Sequence, residues 1–375
     1  MSEQLTVHDP SGNPVYEIMI EKDFEKLAAG IREAGLHGRR VCVVSDSKTA
    51  PLYADIVCRQ LEEISVQTEL FVFPEGERSK TLDTVRSLYA FLIEKKFDRN
   101  DYLAALGGGV VGDLTGFAAA TYLRGISFIQ IPTTLLAQSD SSVGGKTGVD
   151  FDGYKNMVGA FCMPKLVYMN VSTLRTLDTR TYLSGLGEVI KHGYIRDREF
   201  LNFILTHQQE ILERDPETLM KLDLGNCRIK RSVVEEDPTE KGLRGILNFG
   251  HTLGHAIEKQ LASSLYHGEC VSIGMVAAAY ISYLKGYLSL RETEEMKQAL
   301  TGFSLPINAA FDLDAALEAT KNDKKMKNGT IRFALLSEIG DAFLDQTVTL
   351  GEMRQGLEYV WSPSDADLAA AEGVN

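Results

Sequence analysis

Cysteine is scarce in this chain of 375 residues, and what there is does not pair. Cys42, Cys58, Cys162, Cys227 and Cys270 are odd in number, widely scattered, and form no C-x-x-C. A disulfide framework and a cysteine zinc knuckle are both excluded. Long apolar runs are missing too. The longest, Val271 to Leu288, is broken by Ser272, Gly274, Ser282, Lys285 and Gly286, and reads as a buried helix, not a membrane span. Met1 to Tyr16 carries Glu3, Asp9 and Pro10 and no apolar signal core, so no secretory leader is expected and the cytoplasm is the expected location. Positive charge is in deficit, with 39 basic against 52 acidic residues and a net charge of −13. That field repels nucleic acid and anionic membranes, so neither is an expected partner. An anionic small molecule remains compatible, because a pocket can be locally positive inside an acidic protein.

What is present is ordinary globular material, 44% hydrophobic and 24% charged. At roughly 100–200 residues per domain, the length fits two domains. The first half alternates apolar runs with helical stretches. Val41–Val44, Glu69–Phe73, Tyr102–Leu106 and Ile126–Ile131 read as strands, and Leu52–Leu61 and Thr81–Glu94 as helices. Continuous apolar strands separated by helices are the mark of βαβ units and a parallel sheet buried on both faces. The strand ends read Ser45-Asp46, Pro74 to Glu77, Gly107 to Gly109 and Pro132 to Thr134, and ligands of such sheets sit at those carboxyl ends. From about Thr179 helical patterns dominate: Leu183–Ile195, Phe200–Glu213, Leu219–Glu236, His251–Leu261, Val271–Leu288 and Glu292–Leu300, with one late β-like run, Ile331–Leu336. The expected fold is therefore an N-terminal Rossmann-like α/β domain, residues 1–178, followed by a mostly helical domain, residues 179–375, with the cleft between them as the default site. No internal repeat is apparent, and the small, acidic tail from Ser362 to Asn375 is expected to fray.

Gly107, Gly108, Gly109, Val110, Val111 and Gly112 match G-x-G-x-x-G after a strand and before a helix. The dinucleotide fingerprint wants an acid about 20 residues on, yet no Asp or Glu lies between Asp113 and Asp140. The standard Rossmann reading fails while the local physics survives: glycines let backbone N–H groups approach a diphosphate at a helix N-terminus. A glycine turn serving only tight packing is the alternative. Histidine is scarce, yet four of the seven, His192, His251, His255 and His267, stand in motif-like surroundings. His251 and His255 share one helical face at i, i+4, and Glu188 offers a carboxylate. Thr252 stands where a zincin has its catalytic Glu. Two His plus one Glu is a recurring catalytic zinc set, and spacing leaves open which histidines supply it. Arg124, Lys146, Lys155 and Arg244 lie among Gly, Ser, Thr and Asn, and suggest a pocket for an anion. The lysines from Lys321 to Lys327 fit a solvated helix end equally well, and Cys270 reads as a core thiol.

Taken together, Leu106–Phe117, Gln130–Leu136, Asp140–Thr147, Gly187–Lys191 and Asn248–Ala256 resemble 3-dehydroquinate synthases, in order from about Val41 to about Leu336. The resemblance implies conversion of 3-deoxy-D-arabino-heptulosonate 7-phosphate to 3-dehydroquinate and phosphate, in the shikimate route to aromatic amino acids. It implies NAD, reduced and reoxidised within one turnover, a divalent metal (zinc, or another such as cobalt), and a homodimer. On this chain the metal ligands become Glu188, His251 and His267. The nucleotide set becomes Asp46, Glu75, Gly76, Glu77, Arg78, Ser79, Lys80, Gly107 to Asp113, Thr133, Thr134, Asp140, Lys146, Lys155, Thr173, Leu174, Arg175, Thr176 and Leu177. Substrate contacts and catalytic groups become Arg124, from a neighbouring subunit, with Lys146, Asn156, Lys191, Lys230, Arg244, Asn248, His255 and one of Lys324 or Lys325. Lys191 and His255 are the implied proton shuttles. Lys146, Lys230, Arg244 and Asn248 together favour a substrate bearing a carboxylate over those of related cyclases of secondary metabolism. A glycerol-type alcohol dehydrogenase would consume NAD stoichiometrically and need fewer anion-binding groups. A non-catalytic relative should have lost part of the metal set. Asp46 should repel a 2′-phosphate and favour NAD over NADP, with Lys48 nearby weakening the discrimination.

Overall fold

The computed structural model describes residues 2–321, 326–327 and 330–363. Its strands are β1 (Glu3–His8), β2 (Pro14–Glu21), β3 (Arg40–Asp46), β4 (Gln67–Phe73), β5 (Tyr102–Gly107), β6 (Ser127–Pro132), β7 (Lys146–Phe151), β8 (Tyr154–Phe161), β9 (Leu166–Asn170), β10 (Met326–Lys327), β11 (Thr330–Ile331), β12 (Phe333–Glu338) and β13 (Asp341–Asp345). The helices are α1 (Leu27–Glu33), α2 (Ala50–Glu62), α3 (Leu82–Glu94), α4 (Gly109–Thr121), α5 (Thr179–Arg196), α6 (Arg198–Thr206), α7 (Gln208–Leu212), α8 (Pro216–Glu236), α9 (His251–Leu261), α10 (His267–Leu284), α11 (Leu290–Gly302), α12 (Leu313–Lys321) and α13 (Leu350–Tyr359).

Contacts divide the chain into two compact units: residues 1–178 with 214–239, and residues 179–213 with 240–375. The sequence division placed α8 with the second half, whereas it packs on the first. Helical periodicity shows that a segment has an apolar face, but not which partner covers it.

In the first unit the sheet order is β1-β2-β9-β6-β5-β3-β4, parallel except for the β1–β2 hairpin. Alternate residues serve two cores. Val41 and Val43 of β3, with Tyr102, Ala104 and Leu106 of β5, pack against α1 and α2 residues such as Ile31, Val57 and Leu61. Cys42, Val44, Leu103 and Ala105 face Leu88, Leu92, Leu114 and Ala118 on α3 and α4. Burial on both faces explains why these strands read as unbroken apolar runs. From β3 the chain goes outward to β4 and then returns to place β5 on the other side of β3. The strand order therefore reverses between β3 and β5, and a crevice at their carboxyl ends is where such sheets take ligands. Asp46 and Gly107 stand at those ends. The first forty residues, which carried little signal, supply the β1–β2 hairpin at one edge of the sheet.

The second unit is mostly helical, and α10 packs against α5, α9, α11 and α13. The single helix expected over Phe200–Glu213 is two, α6 and α7, because His207 leaves helical geometry (φ −104°, ψ 28°). Asp197 caps α6 through its side chain, as Asp215 caps α8 ahead of Pro216, which starts that helix earlier than its apolar pattern suggested.

Candidate active site

In the first unit the strand ends assemble a polar rim. Asp46 turns its Oδ1 back onto the backbone N–H groups of Lys48 (3.0 Å) and Thr49 (2.7 Å), pinning the turn into α2. Lys48 lies 3.6 Å from Asp178, an exposed and loose pair. The glycine run divides by role. A Cβ on Gly107 would sit 2.5 Å from Val111, and one on Gly112 would sit 2.5 Å from Gln130 Oε1, so these two glycines allow α4 to lie against the sheet. Among the described residues a Cβ on Gly108 or Gly109 would meet Thr134 or Ser141, each at 3.1 Å, and Gly108 caps α4 without a side-chain acceptor. A helix N-terminus without a side-chain cap is chemically suited to an anion.

Lys80 is buried and donates from Nζ to Asp113 Oδ2 (2.6 Å) and Asn156 Oδ1 (2.5 Å), so it joins α4 to the β7–β8 hairpin. Burial pushes the Asp113 carboxyl above its usual range, and the Lys80 ammonium opposes that. Asn156 takes a left-handed φ of +52°, which Asn adopts more readily than most residues. Glu75 donates its N–H to Ser47 Oγ (3.0 Å), and Gly76 at φ +93° turns the chain into Glu77–Ser79. Thr133 closes onto Gly107 O (3.0 Å). Arg214, which no motif singled out, donates from one Nη1 to the carbonyls of Leu174, Arg175 and Leu177 (2.8–3.2 Å), while Tyr53 hydrogen-bonds Thr173 O and Thr176.

Lys230 on α8 is buried and reaches Asp140 Oδ1 (2.5 Å) and the Asp140 carbonyl, which places two residues of the expected set in direct contact. Lys146, Lys155 and Asn156 lie along the β7–β8 hairpin with exposed side chains. Arg124 is exposed on a strained corner, with Leu123 (φ +49°), Arg124 (φ +69°) and Gly125 (φ +119°) in succession.

Asp223 was not expected. It is wholly buried on α8, two turns before Lys230, and among the described residues neither carboxylate oxygen finds a hydrogen-bond partner. Burial pushes its pKa up to about 8. The native state thus keeps a proton that the unfolded chain loses above about 4, so this group costs more stability as pH rises from about 4 to about 8. Asp223→Asn removes that slope. Its stability advantage over the parent is expected to grow by about 1 kcal/mol per pH unit across that window. Urea unfolding at pH 5, 6 and 7 checks this, and a constant difference would contradict it.

The second unit brings together side chains from three helices. Glu188, fully buried on α5, holds Oε1 at 3.1 Å from His251 Nε2 on α9 and 3.4 Å from His267 Nε2 at the start of α10. His251, His255 and His267 form a triangle of rings with centroids 5.2–5.5 Å apart. His192 is buried on α5 one residue past Lys191. Glycines permit the convergence. Gly187 would bring a Cβ within 2.7 Å of Gly268 O, and Gly268 a Cβ within 1.8 Å of Ser184 O, so α5 and α10 touch backbone to backbone beside Glu188 and His267. Gly250, Gly254 and Gly274 do the same between α9 and α10.

Lys191 donates to Glu188 Oε2. Burial works to raise the Glu188 pKa, but Lys191 and His251 outweigh it and hold the carboxyl well below its usual range. Burial lowers His251. For His267 burial is overridden by Glu188 and Glu258, which push it up to about 10. These groups fit a divalent metal. Four-coordinate zinc with bonds of about 2.0–2.1 Å places neighbouring donor atoms about 3.3 Å apart, close to the 3.1 and 3.4 Å found here. Among the described residues no well-directed hydrogen bond reaches the buried Glu188 Oε1. The other ring nitrogens are anchored, His251 Nδ1 on Phe249 O and His267 Nδ1 on Glu258, each at 3.1 Å. Arg244 is buried in the turn Leu243–Asn248, and Asn248 at its end donates to Glu240 (3.1 Å). Lys324 and Lys325 lie outside the described residues.

Family models described as 3-dehydroquinate synthase N-terminal and 3-dehydroquinate synthase C-terminal match residues 70–184 and 185–326. A 3-dehydroquinate synthase of Acetivibrio thermocellus is 47% identical over 321 residues, 85% of this chain and 89% of the relative. Another, of Pelobacter propionicus, is 47% identical over 333 residues, 88% of this chain and 92% of the relative. Among solved structures, a 2-epi-5-epi-valiolone synthase from Streptomyces hygroscopicus, with NAD+ and Zn2+ bound, superimposes with a TM-score of 0.83 at 26% identity, covering 92% of this chain and 96% of that one. A glycerol dehydrogenase from Schizosaccharomyces pombe shares the fold alone, at a TM-score of 0.65 and 12% identity over 91% of this chain and 87% of that one.

Proposed function

The chain belongs to the 3-dehydroquinate synthase family, and from that premise we infer that it converts 3-deoxy-D-arabino-heptulosonate 7-phosphate to 3-dehydroquinate and phosphate, a step of the shikimate pathway. The observation that carries this reading is the buried Glu188 carboxylate set against two anchored imidazoles, a donor set for a divalent metal such as zinc or cobalt. The conversion has no net redox change, so a hydride taken from the substrate must return within the same turnover. On loading, the metal supplies Lewis acidity toward a substrate hydroxyl, and NAD supplies hydride acceptance and return.

The chain's residues do the rest. Glu188, His251 and His267 hold the metal. The open N-terminus of α4 at Gly108 and Gly109 takes the diphosphate, and Asp46 and the segment Thr173–Leu177, braced by Arg214, complete the dinucleotide site. Lys191, with its ammonium on Glu188, and His255, at the third corner of the histidine triangle, are placed to hold and pass protons beside the reacting hydroxyl. Lys146, Asn156, Lys230, Arg244, Asn248 and one of Lys324 or Lys325 bind the phosphate and the carboxylate. The substrate phosphate acts as its own base in the elimination, so these groups chiefly position it. The released enol then closes by an intramolecular aldol step.

The substrate carboxylate is the discriminating feature. Turnover of 3-deoxy-D-arabino-heptulosonate 7-phosphate with no turnover of sedoheptulose 7-phosphate supports this reading; the reverse preference contradicts it. Asp46 predicts a preference for NAD over NADP, weakened by the exposed Lys48, which is only loosely paired with Asp178; equal turnover with NADP would refute it. A homodimer in which Arg124 serves the neighbouring subunit's site accords with its exposed, strained placement. Mixing Arg124→Ala with His251→Ala chains should then restore activity, since each hybrid dimer contains one complete site. An inactive mixture contradicts the sharing. No helix among the described residues is long and apolar enough to cross a membrane, and a cytoplasmic location is part of the proposal.

A further inference from the structure

We propose that Glu258 is a positioning residue of the metal centre, which orients His267 and strengthens its grip on the metal; this rests on the metal reading given above. Glu258 lies seven residues after His251, so α9 presents His251, His255 and Glu258 on one face over two turns. The face thus supplies a ligand directly and the partner of a second ligand carried by another helix. Glu258 is buried, and its Oε2 lies 3.1 Å from His267 Nδ1. In the metal-loaded site Nδ1 would keep its proton toward that carboxylate, which frees the Nε2 lone pair for the metal held together with Glu188, whose Oε1 lies 3.4 Å away.

The two histidines need different support. His251 is nearly enclosed, with 11% of its side chain exposed, and rests on a backbone carbonyl. His267 is the first residue of α10, and 30% of its side chain is exposed. It is packed less tightly, so its ring depends more on a hydrogen bond for its direction. A carboxylate does more than a carbonyl here, because its charge makes the imidazole a stronger donor. Arg180 braces the same turn: its Nε and Nη2 each lie 2.7 Å from the Glu269 carboxylate, which also accepts the Tyr266 N–H at 2.7 Å.

The test uses zinc-loaded enzyme and its Glu258→Gln and Glu258→Ala variants, with Glu188→Gln as control. It measures the rate of zinc loss to a chelator, the visible spectrum after cobalt substitution, and the thermal midpoint of the metal-free proteins. Glu258→Gln keeps an acceptor without the charge and is expected to release zinc about 10-fold faster, and Glu258→Ala about 100-fold faster. The cobalt bands should shift in both, with the metal-free midpoint unchanged in Glu258→Gln. Release within about twofold of the parent in both variants, while Glu188→Gln loses its metal, overturns the role of Glu258 and leaves the metal site standing. An unshifted cobalt spectrum together with a lowered metal-free midpoint reduces Glu258 to a structural tie, which also overturns the proposal. If Glu188→Gln retains zinc as the parent does, the metal site itself is wrong, and this proposal falls with it.

Discussion

Gly268→Ala is expected to lose bound metal and activity together and to destabilise the second unit by about 3 kcal/mol or more, at or beyond the upper end of ordinary overpacking. The added methyl would lie 1.8 Å from the Ser184 carbonyl oxygen and 2.7 Å from its carbon. Both are backbone atoms of α5, which cannot rotate aside as a side chain could. The helices must separate, and His267 and Glu188, which ride on the two sides of this contact, separate with them. The hydrogen bond from Gly268 N–H to Ser184 Oγ (3.0 Å) is strained at the same time. Gly351→Ala is the control. That glycine opens α13, and among the described residues the nearest atom is Thr349 Oγ1 at 3.8 Å, so alanine there should be neutral or stabilising by up to about 1 kcal/mol. Thermal unfolding and metal content of both variants decide the matter; a Gly268→Ala protein with parental stability and metal content would show that the contact does not govern the site.

Glu188→Gln is the second large effect. The substitution keeps the shape and removes the charge. Loss of a charged ligand strips the metal, and the several kcal/mol that Lewis-acid polarisation supplies corresponds to about a thousandfold or more in turnover. Lys191 is left buried against a neutral amide, and breaking a buried pair from one side costs about 3–5 kcal/mol. His251→Ala removes a ligand while leaving the Lys191–Glu188 pair in place, and so is expected to lose metal and activity at a smaller cost in stability. In both variants the fold persists by circular dichroism. Full metal content and activity in either one would remove that residue from the ligand set.

Local periodicity sets how much of the fold is legible in the sequence. The strands ending at Asp46, Gly107 and Pro132 were legible because both faces are buried and the runs are unbroken, and the edge strand ending at Phe73 kept an apolar run, Leu70 to Phe73, although Leu70 and Val72 are exposed. His251 and His255 were legible as neighbours because i, i+4 spacing puts them on one helical face. Which of the four histidines join Glu188 was not legible in spacing and came from the family resemblance alone, because the approach of His267 to Glu188 depends on α5 and α10 meeting at Gly187 and Gly268, residues far apart in sequence. The same limit hid Arg214, whose guanidinium braces Leu174 to Leu177 across a long stretch of chain, and Asp223, whose burial comes from neighbours its own helix does not specify. Helix α8 shows this most plainly: its pattern announced a helix but not that it packs with the first unit. Glu258 was visible only as a position, two turns after His251, and its partner on α10 gave that position a meaning.

The central claim is an enzyme that borrows a hydride and returns it. Its most direct test is phosphate release from 3-deoxy-D-arabino-heptulosonate 7-phosphate, with zinc supplied and NAD held well below the substrate concentration. The account predicts many phosphates per NAD and no accumulation of NADH. Release that stops at one phosphate per NAD, or a steady build-up of NADH, would contradict it.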